Sequence, residues 1–368
     1  MKFHRASLFF IIAIFVLSAF YSCEKDVTNR NFYVKEGVFI LNEGNYTYGN
    51  SSLSFYNPDS NKISNQIFSK ANKGSAIGDV LQSMTIQDSL GYLVVNNSGK
   101  IMVVNTNTFQ FKSAITGLVS PRQLLILNSA KAYVSDLYSN SISIIDLKSF
   151  SVTGSIHLNK SSESMVLFGN YVFVSNWSKQ NTLQRIDIST DKLTDSLVIT
   201  KQPNSMVLDK NNKLWVLSDG GYSGIQGGKV KACLTRINPV SFSIEQEFVF
   251  PDNNSAPTRL SLNRTKDTLF YLNGSWGQSQ DNGGVYKMAV TESQLPVSAF
   301  IPENGRLFYA LGIDPKNSDI YVSDAIDYQQ PGWVFRYSAR GAIADSFKTD
   351  IIPAAFCFKY EISIPNIF

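Results

Sequence analysis

The chain has 368 residues, 43% of them hydrophobic, 12% aromatic and 17% charged, with 33 Lys or Arg against 29 Asp or Glu for a formal charge of +4. That apolar fraction supplies a large core and excludes a disordered tail, and so even a charge excludes the concentrated basic stripe that nucleic-acid binding requires. Only two histidines occur, His4 and His157, which argues against a His-rich metal site and against most His-based acid/base chemistry.

In chain order, the first element is an address. Lys2 and Arg5 precede the apolar run from Leu8 to Leu17, which is short for a membrane span and predicts a secretory signal peptide over residues 1–22. Ser22 before Cys23, followed by Glu24-Lys25-Asp26, resembles a bacterial lipobox, although Phe20 and Tyr21 are bulkier than the usual pattern. On this reading Cys23 is the lipidated first residue of the mature protein, held to the membrane by acyl chains, and residues 23–35 are a linker. An ordinary signal with an incidental cysteine is the alternative. Cys233 and Cys357 lie in apolar, strand-like runs and read as buried free thiols, though one disulfide would also satisfy them.

Beyond residue 36 the pattern is a short alternating run, a turn and another run, recurring at roughly 40 to 50 residues, as in propeller blades. The clearest unit has strand A at Gln123–Leu127, B at Ala132–Asp136, C at Ser141–Asp146 and D at Val152–Ile156. The B run recurs seven times, ending at Asn42, Asn96, Asp136, Asn176, Ser218, Asn273 and Asp324. The C run follows each, from Leu53–Tyr56 to Val334–Tyr337. Strand A recurs as pairs such as Ser83-Met84, Gln123-Leu124, Ser164-Met165 and Ser205-Met206, read as core. The first copy starts at strand B, near Gly37, and the last is a lone A strand over Ile352–Phe358. Pairing that strand with the N-terminal B, C and D closes the ring and removes the open sheet edges. The fold class predicted is therefore all-β: a seven-bladed propeller of four-stranded antiparallel blades over residues 36–368.

A four-stranded meander places every B–C and D–A connection at one end of the ring. The B strands end there in small polar residues, of which Asn42, Asn96, Asp136, Asn176 and Asp324 are candidate ligand contacts. Each has a second reading as an acceptor for its own turn backbone. Six B–C connections carry aromatics: Tyr46 and Tyr48, Tyr138, Trp177, Tyr222, Trp276 and Tyr328. The D–A connections add Arg122, Glu163, Asn204, Arg259 and Arg306. Two long Gly-rich loops, 220–231 and 274–284, belong to the same end. Amides, flat rings and a few guanidinium groups with little net charge suit a large, amphipathic, neutral-to-anionic ligand. Catalysis has weaker support. No Gly-x-Ser-x-Gly elbow stands in a strand-to-helix setting, and the one carboxylate pairing open to a metal is Asp136 with Asp324 across the channel. No cofactor and no metal are expected.

Leu41-Asn-Glu-Gly-Asn45, Gly78-Asp-Val-Leu-Gln-Ser-Met84, Ala132-Tyr-Val-Ser-Asp-Leu-Tyr-Ser-Asn140 and Tyr321-Val-Ser-Asp-Ala-Ile-Asp-Tyr328 resemble the surface propeller lipoproteins of Bacteroidetes with YncE-like blades. That group includes the corrinoid-binding protein BtuG. The resemblance implies a lipid-anchored, surface-exposed outer-membrane protein that captures cobalamin or related corrinoids without catalysis. It would then pass them to a TonB-dependent outer-membrane transporter. A non-catalytic surface adhesion or protein-interaction scaffold is the alternative, and a metal-dependent hydrolase a third.

Overall fold

A computed structural model describes residues 36–274 and 283–360. The signal peptide, the linker at 23–35, Cys23 and Trp276 lie outside the described residues. The described chain forms 28 strands, β1 to β28, arranged as seven four-stranded antiparallel sheets, with one short α-helix, α1 (Ile67–Ala71), and one turn of 3-10 helix at Asn96–Ser98. This is the seven-bladed propeller. The blade read most clearly from the sequence comprises β8 (Pro121–Ile126), β9 (Lys131–Asp136), β10 (Ser141–Asp146) and β11 (Ser151–His157), within two residues of expectation.

The packing explains why the repeat is visible at all. Each second strand is sandwiched by its neighbouring blades, so both of its faces are apolar. Tyr133, Trp215, Tyr271 and Tyr321, all on second strands, are among the largest fully buried side chains. The apolar residues divide into seven clusters among the described residues, one at each blade–blade contact. Tyr92 and Val94, for example, pack on Leu124, Ala132 and Val134 of the next blade. The fourth strands face solvent and alternate accordingly, which is why His157, on β11, is exposed.

Closure follows the predicted route. β28 (Pro353–Lys359) pairs antiparallel with β1 (Gly37–Asn42), placing Phe39 opposite Cys357 and Ile40 opposite Phe356. β28 is the innermost strand of the sheet β28-β1-β2-β3, where β2 is Ser52–Asn57 and β3 is Lys62–Ser64. The seam with the last blade is tight. A Cβ on Gly312 of β24 (Phe308–Ile313) would stand 2.8 Å from Phe356 Cβ and 2.9 Å from its Cδ2. Cys233 and Cys357 are both free.

Candidate functional site

Six of the seven inner strands slip register against their second strand at the same level. On β4 (Leu81–Gln87), Leu81 faces Val95 and Ser83 faces Val94, so Gln82 is extra. The same slip sets out Arg122 on β8, Asn204 on β16 (Pro203–Leu208), Arg259 on β20 (Thr258–Leu262) and Tyr309 on β24. In the closing blade it falls at Ala354. A bulge re-aims its extra side chain. The five longer ones all line a single axial cavity of about 440 Å³ to which all seven blades contribute. The seventh inner strand, β12 (Met165–Phe168), begins later, and Glu163 just ahead of it reaches the same cavity.

The bulges also account for the recurring Val-Ser-Asp and Val-Ser-Asn of the second strands. An amide released from the ladder needs an acceptor, and the serine supplies one. Gln123 N–H donates to Ser135 Oγ (3.1 Å) and Ala310 N–H to Ser323 Oγ (2.8 Å); just ahead of β12, which has no such slip, Ser164 N–H likewise donates to Ser175 Oγ (3.0 Å).

The cavity charges are largely answered from within. Arg122 forks onto Glu163, Nε to Oε2 at 2.8 Å and Nη2 to Oε1 at 2.7 Å, and its Nη1 donates to Gln82 Oε1 at 2.6 Å. Burial works against the Arg122 charge, but the Glu163 carboxylate outweighs it and the guanidinium holds its proton more tightly than usual. Glu43 accepts the Tyr309 hydroxyl at 3.0 Å. Burial pushes the Glu43 carboxyl above its ordinary range, against opposing pulls from Arg259, the Tyr309 hydroxyl and Arg122. The Tyr309 phenol is raised as well, by burial first and then by Glu43. Asp219, raised by burial, accepts the Trp177 indole N–H at 3.1 Å and the Asn204 amide at 3.4 Å, and so sets both side chains at the cavity wall. Tyr328 meets Tyr309 edge to face at 5.5 Å between ring centres.

Of the candidate contacts, Tyr46, Asn96, Arg122, Glu163, Trp177, Asn204, Arg259 and Tyr328 line the cavity. Tyr48, Tyr138 and Tyr222 stay on B–C connections at the same end but stand away from it. Tyr48 and Tyr138 are 77% and 74% exposed, and cavity-lining Tyr46 is 68% exposed. Arg306 leaves the cavity to lie over the Phe335 ring at 4.4 Å.

Four B-strand ends do not face the cavity, and the turn reading describes them better than ligand contact. Asp136 Oδ2 accepts Val119 N–H (3.1 Å) and Ser120 N–H (2.8 Å), while Oδ1 accepts Tyr138 N–H (3.0 Å) and Ser139 N–H (2.8 Å). Asp324 Oδ1 accepts Leu307 N–H and Ile326 N–H, so the two aspartates fasten separate blade ends and do not converge across the channel. Asn42 bonds Ser54 Oγ and Thr349 Oγ1, and Asn176 bonds Ser161 O, Gln184 Oε1 and Thr182 Oγ1. Asn96 lines the cavity while its amide is held by Ser120 Oγ and Pro121 O.

Glu43, Gln82, Tyr309 and Glu303 are cavity residues that B-strand ends and loop aromatics do not point to. A signal was available. Gln82, Arg122, Glu163, Asn204 and Tyr309 each stand two residues ahead of the repeated apolar Met84, Leu124, Met165, Met206 and Leu311, a non-aliphatic column at the head of strands otherwise read as core.

Among the described residues, no group of three or more His, Cys, Asp or Glu is placed to hold a metal ion. The sequence matches the family described as a domain of unknown function, DUF5074, over residues 36–350, and the chain belongs to that family. No curated protein matches it. Among solved structures it is similar to a quinonprotein alcohol dehydrogenase-like protein from Bacteroides thetaiotaomicron. The TM-score is 0.68 at 16% identity, over 90% of this chain and 79% of that one. It is also similar to a periplasmic gluconolactonase from Pseudomonas aeruginosa, with a TM-score of 0.65 at 11% identity, over 88% of this chain and 99% of that one. At such identities the likeness establishes the propeller fold, and a fold alone assigns no chemistry.

Proposed function

We propose that this member of the DUF5074 family is a cell-surface lipoprotein that captures a large amphipathic ligand at the cavity end of its propeller. The ligand class is a corrinoid, handed on to a TonB-dependent outer-membrane transporter. One observation supports capture: exposed Tyr46, Tyr48 and Tyr138 stand on connections at the end where Trp177 and Tyr328 border a cavity. Rings that are neither packed away nor charged give broad contact at small entropic cost. The corrinoid and the transporter rest on the resemblance to the Bacteroidetes surface propellers. A corrin is wider than the cavity, so it would lie across the rim with its apolar face on the tyrosines and direct a side arm downward. On this reading the face binds without catalysis, with Glu163 committed to Arg122 and Glu43 Oε2 bonded to Tyr309.

The test is co-elution of cyanocobalamin with the purified chain on gel filtration, followed by its visible absorbance. Trp177→Ala is expected to weaken capture by about tenfold, the loss typical of a buried aromatic anchor. A chromophore that never co-elutes overturns corrinoid capture, and unchanged capture by the variant moves the site elsewhere. Tyr48 and Tyr138, exposed and off the cavity, favour a second reading, surface adhesion. It predicts a protein or polymer partner lost on Tyr138→Ala with Trp177 intact.

A further inference from the structure

The cavity has spare hydrogen-bonding capacity of a particular kind. Arg259 gives Nε to the Tyr309 carbonyl at 3.3 Å and lies over the Tyr309 ring at 5.6 Å. Its two Nη groups have no acceptor among the described residues, and it forms no ion pair there. Glu43 uses Oε2 for the Tyr309 hydroxyl, and among the described residues its Oε1 has no donor. Gln82 uses Oε1 for Arg122, and among the described residues its Nε2 has no acceptor. All three line the same cavity. Unused donors and an unused acceptor therefore line one cavity, in which Arg122 is already matched by Glu163.

We propose that the axial cavity is a carboxamide-reading subsite, in which Arg259 and Gln82 donate to the carbonyl oxygen of an uncharged primary amide and Glu43 accepts from its NH2. A primary amide offers both halves at once. A carboxylate satisfies Arg259 but sets its charge against Glu43 and Glu303, and an ammonium sets its charge against Arg259. A site built to hydrogen-bond one group rejects an analogue that leaves its buried polar atoms unpaired. This deepens the capture reading by naming what its cavity holds, and it is tested without a corrin.

The experiment titrates the full chain with benzamide, benzoate and benzylammonium, which share a ring and differ in the charge of one substituent, by saturation-transfer NMR at pH 7. Benzamide is expected to bind at least about tenfold tighter than either ion. Arg259→Gln should remove about tenfold of the benzamide affinity. Glu43→Gln, which keeps an acceptor for Tyr309, should reverse the preference in favour of benzoate. If Arg259→Gln does not fold, the ratio in Glu43→Gln decides alone. Equal or tighter binding of either ion to the unaltered chain overturns the proposal, as does the failure of all three probes to bind, or a ratio that Glu43→Gln leaves unmoved. Selective benzamide binding with no cyanocobalamin co-elution sinks corrinoid capture and leaves the subsite standing; the reverse pair of results does the opposite.

Discussion

Asp136 is the position at which ligand contact and turn fastening can be separated by measurement. It is 1% exposed, and its two oxygens take four backbone N–H groups at 2.8 to 3.1 Å from the segments on either side of the blade end. Asp136→Asn preserves the shape but replaces one oxygen with an NH2 group. That group faces two N–H donors and leaves both without an acceptor. At about 1–3 kcal/mol for each buried group left unsatisfied, the loss is about 2–6 kcal/mol. With about 2.1 cal/mol/K per residue over roughly 320 residues, the unfolding entropy is about 0.7 kcal/mol/K, so the melting temperature should fall by about 3 to 9 °C. Circular dichroism melts of both proteins, paired with cyanocobalamin co-elution at 10 °C, give the two readouts. A variant that melts within about 1 °C of the parent yet loses capture would refute the fastening argument and restore Asp136 as a ligand contact.

Three further outcomes are expected. Because burial holds the folded Glu43 carboxyl above its unfolded value of 4.5, the folded state binds the proton more tightly. The stability it contributes is full below that value and is lost as pH rises through the folded pKa. Glu43→Gln should therefore melt with the parent near pH 4 and above it at pH 8; a gap that widens toward acid contradicts this. Gly312→Ala forces a Cβ to within 2.8 Å of Phe356 Cβ, an atom that side-chain rotation cannot move, and should lower stability by about 1–3 kcal/mol in urea unfolding. No change would mean that the seam is slack. Burial raises both thiols, Cys357 to about 12, so with Cys23 replaced by Ser neither should react with a disulfide reagent at pH 8 until the chain is unfolded. Rapid reaction would show the seam open.

The fold was legible because each second strand must satisfy two neighbouring blades. That makes Phe39–Leu41, Leu93–Val95 and Tyr133–Val134 apolar on both faces, and the run stands out seven times. Closure was legible because one copy lacked an inner strand and another had nothing else. Strand direction put the B–C and D–A connections at one end, and the aromatics on them marked it as the end that carries the cavity. Its interior did not, because one inserted residue per inner strand is a matter of register, which alternating patterns do not report. Gln82 and Tyr309 therefore looked like members of core strands, and Glu43 like the first residue of a turn. Asp136 and Asn176 are ambiguous for a related reason. A polar residue at a strand end looks the same whether it greets a ligand or grips its own backbone, and only the count of nearby N–H groups separates the two.

The shared first blade makes closure of the ring depend on β28. Synthesis that stalls anywhere before the final strand leaves β1 with an unsatisfied edge beside Phe39 and Leu41. Such an edge invites stray pairing, and a partly assembled ring is open to proteases in a way that the finished one is not. Closure of the ring therefore waits on β28, the strand that covers that edge.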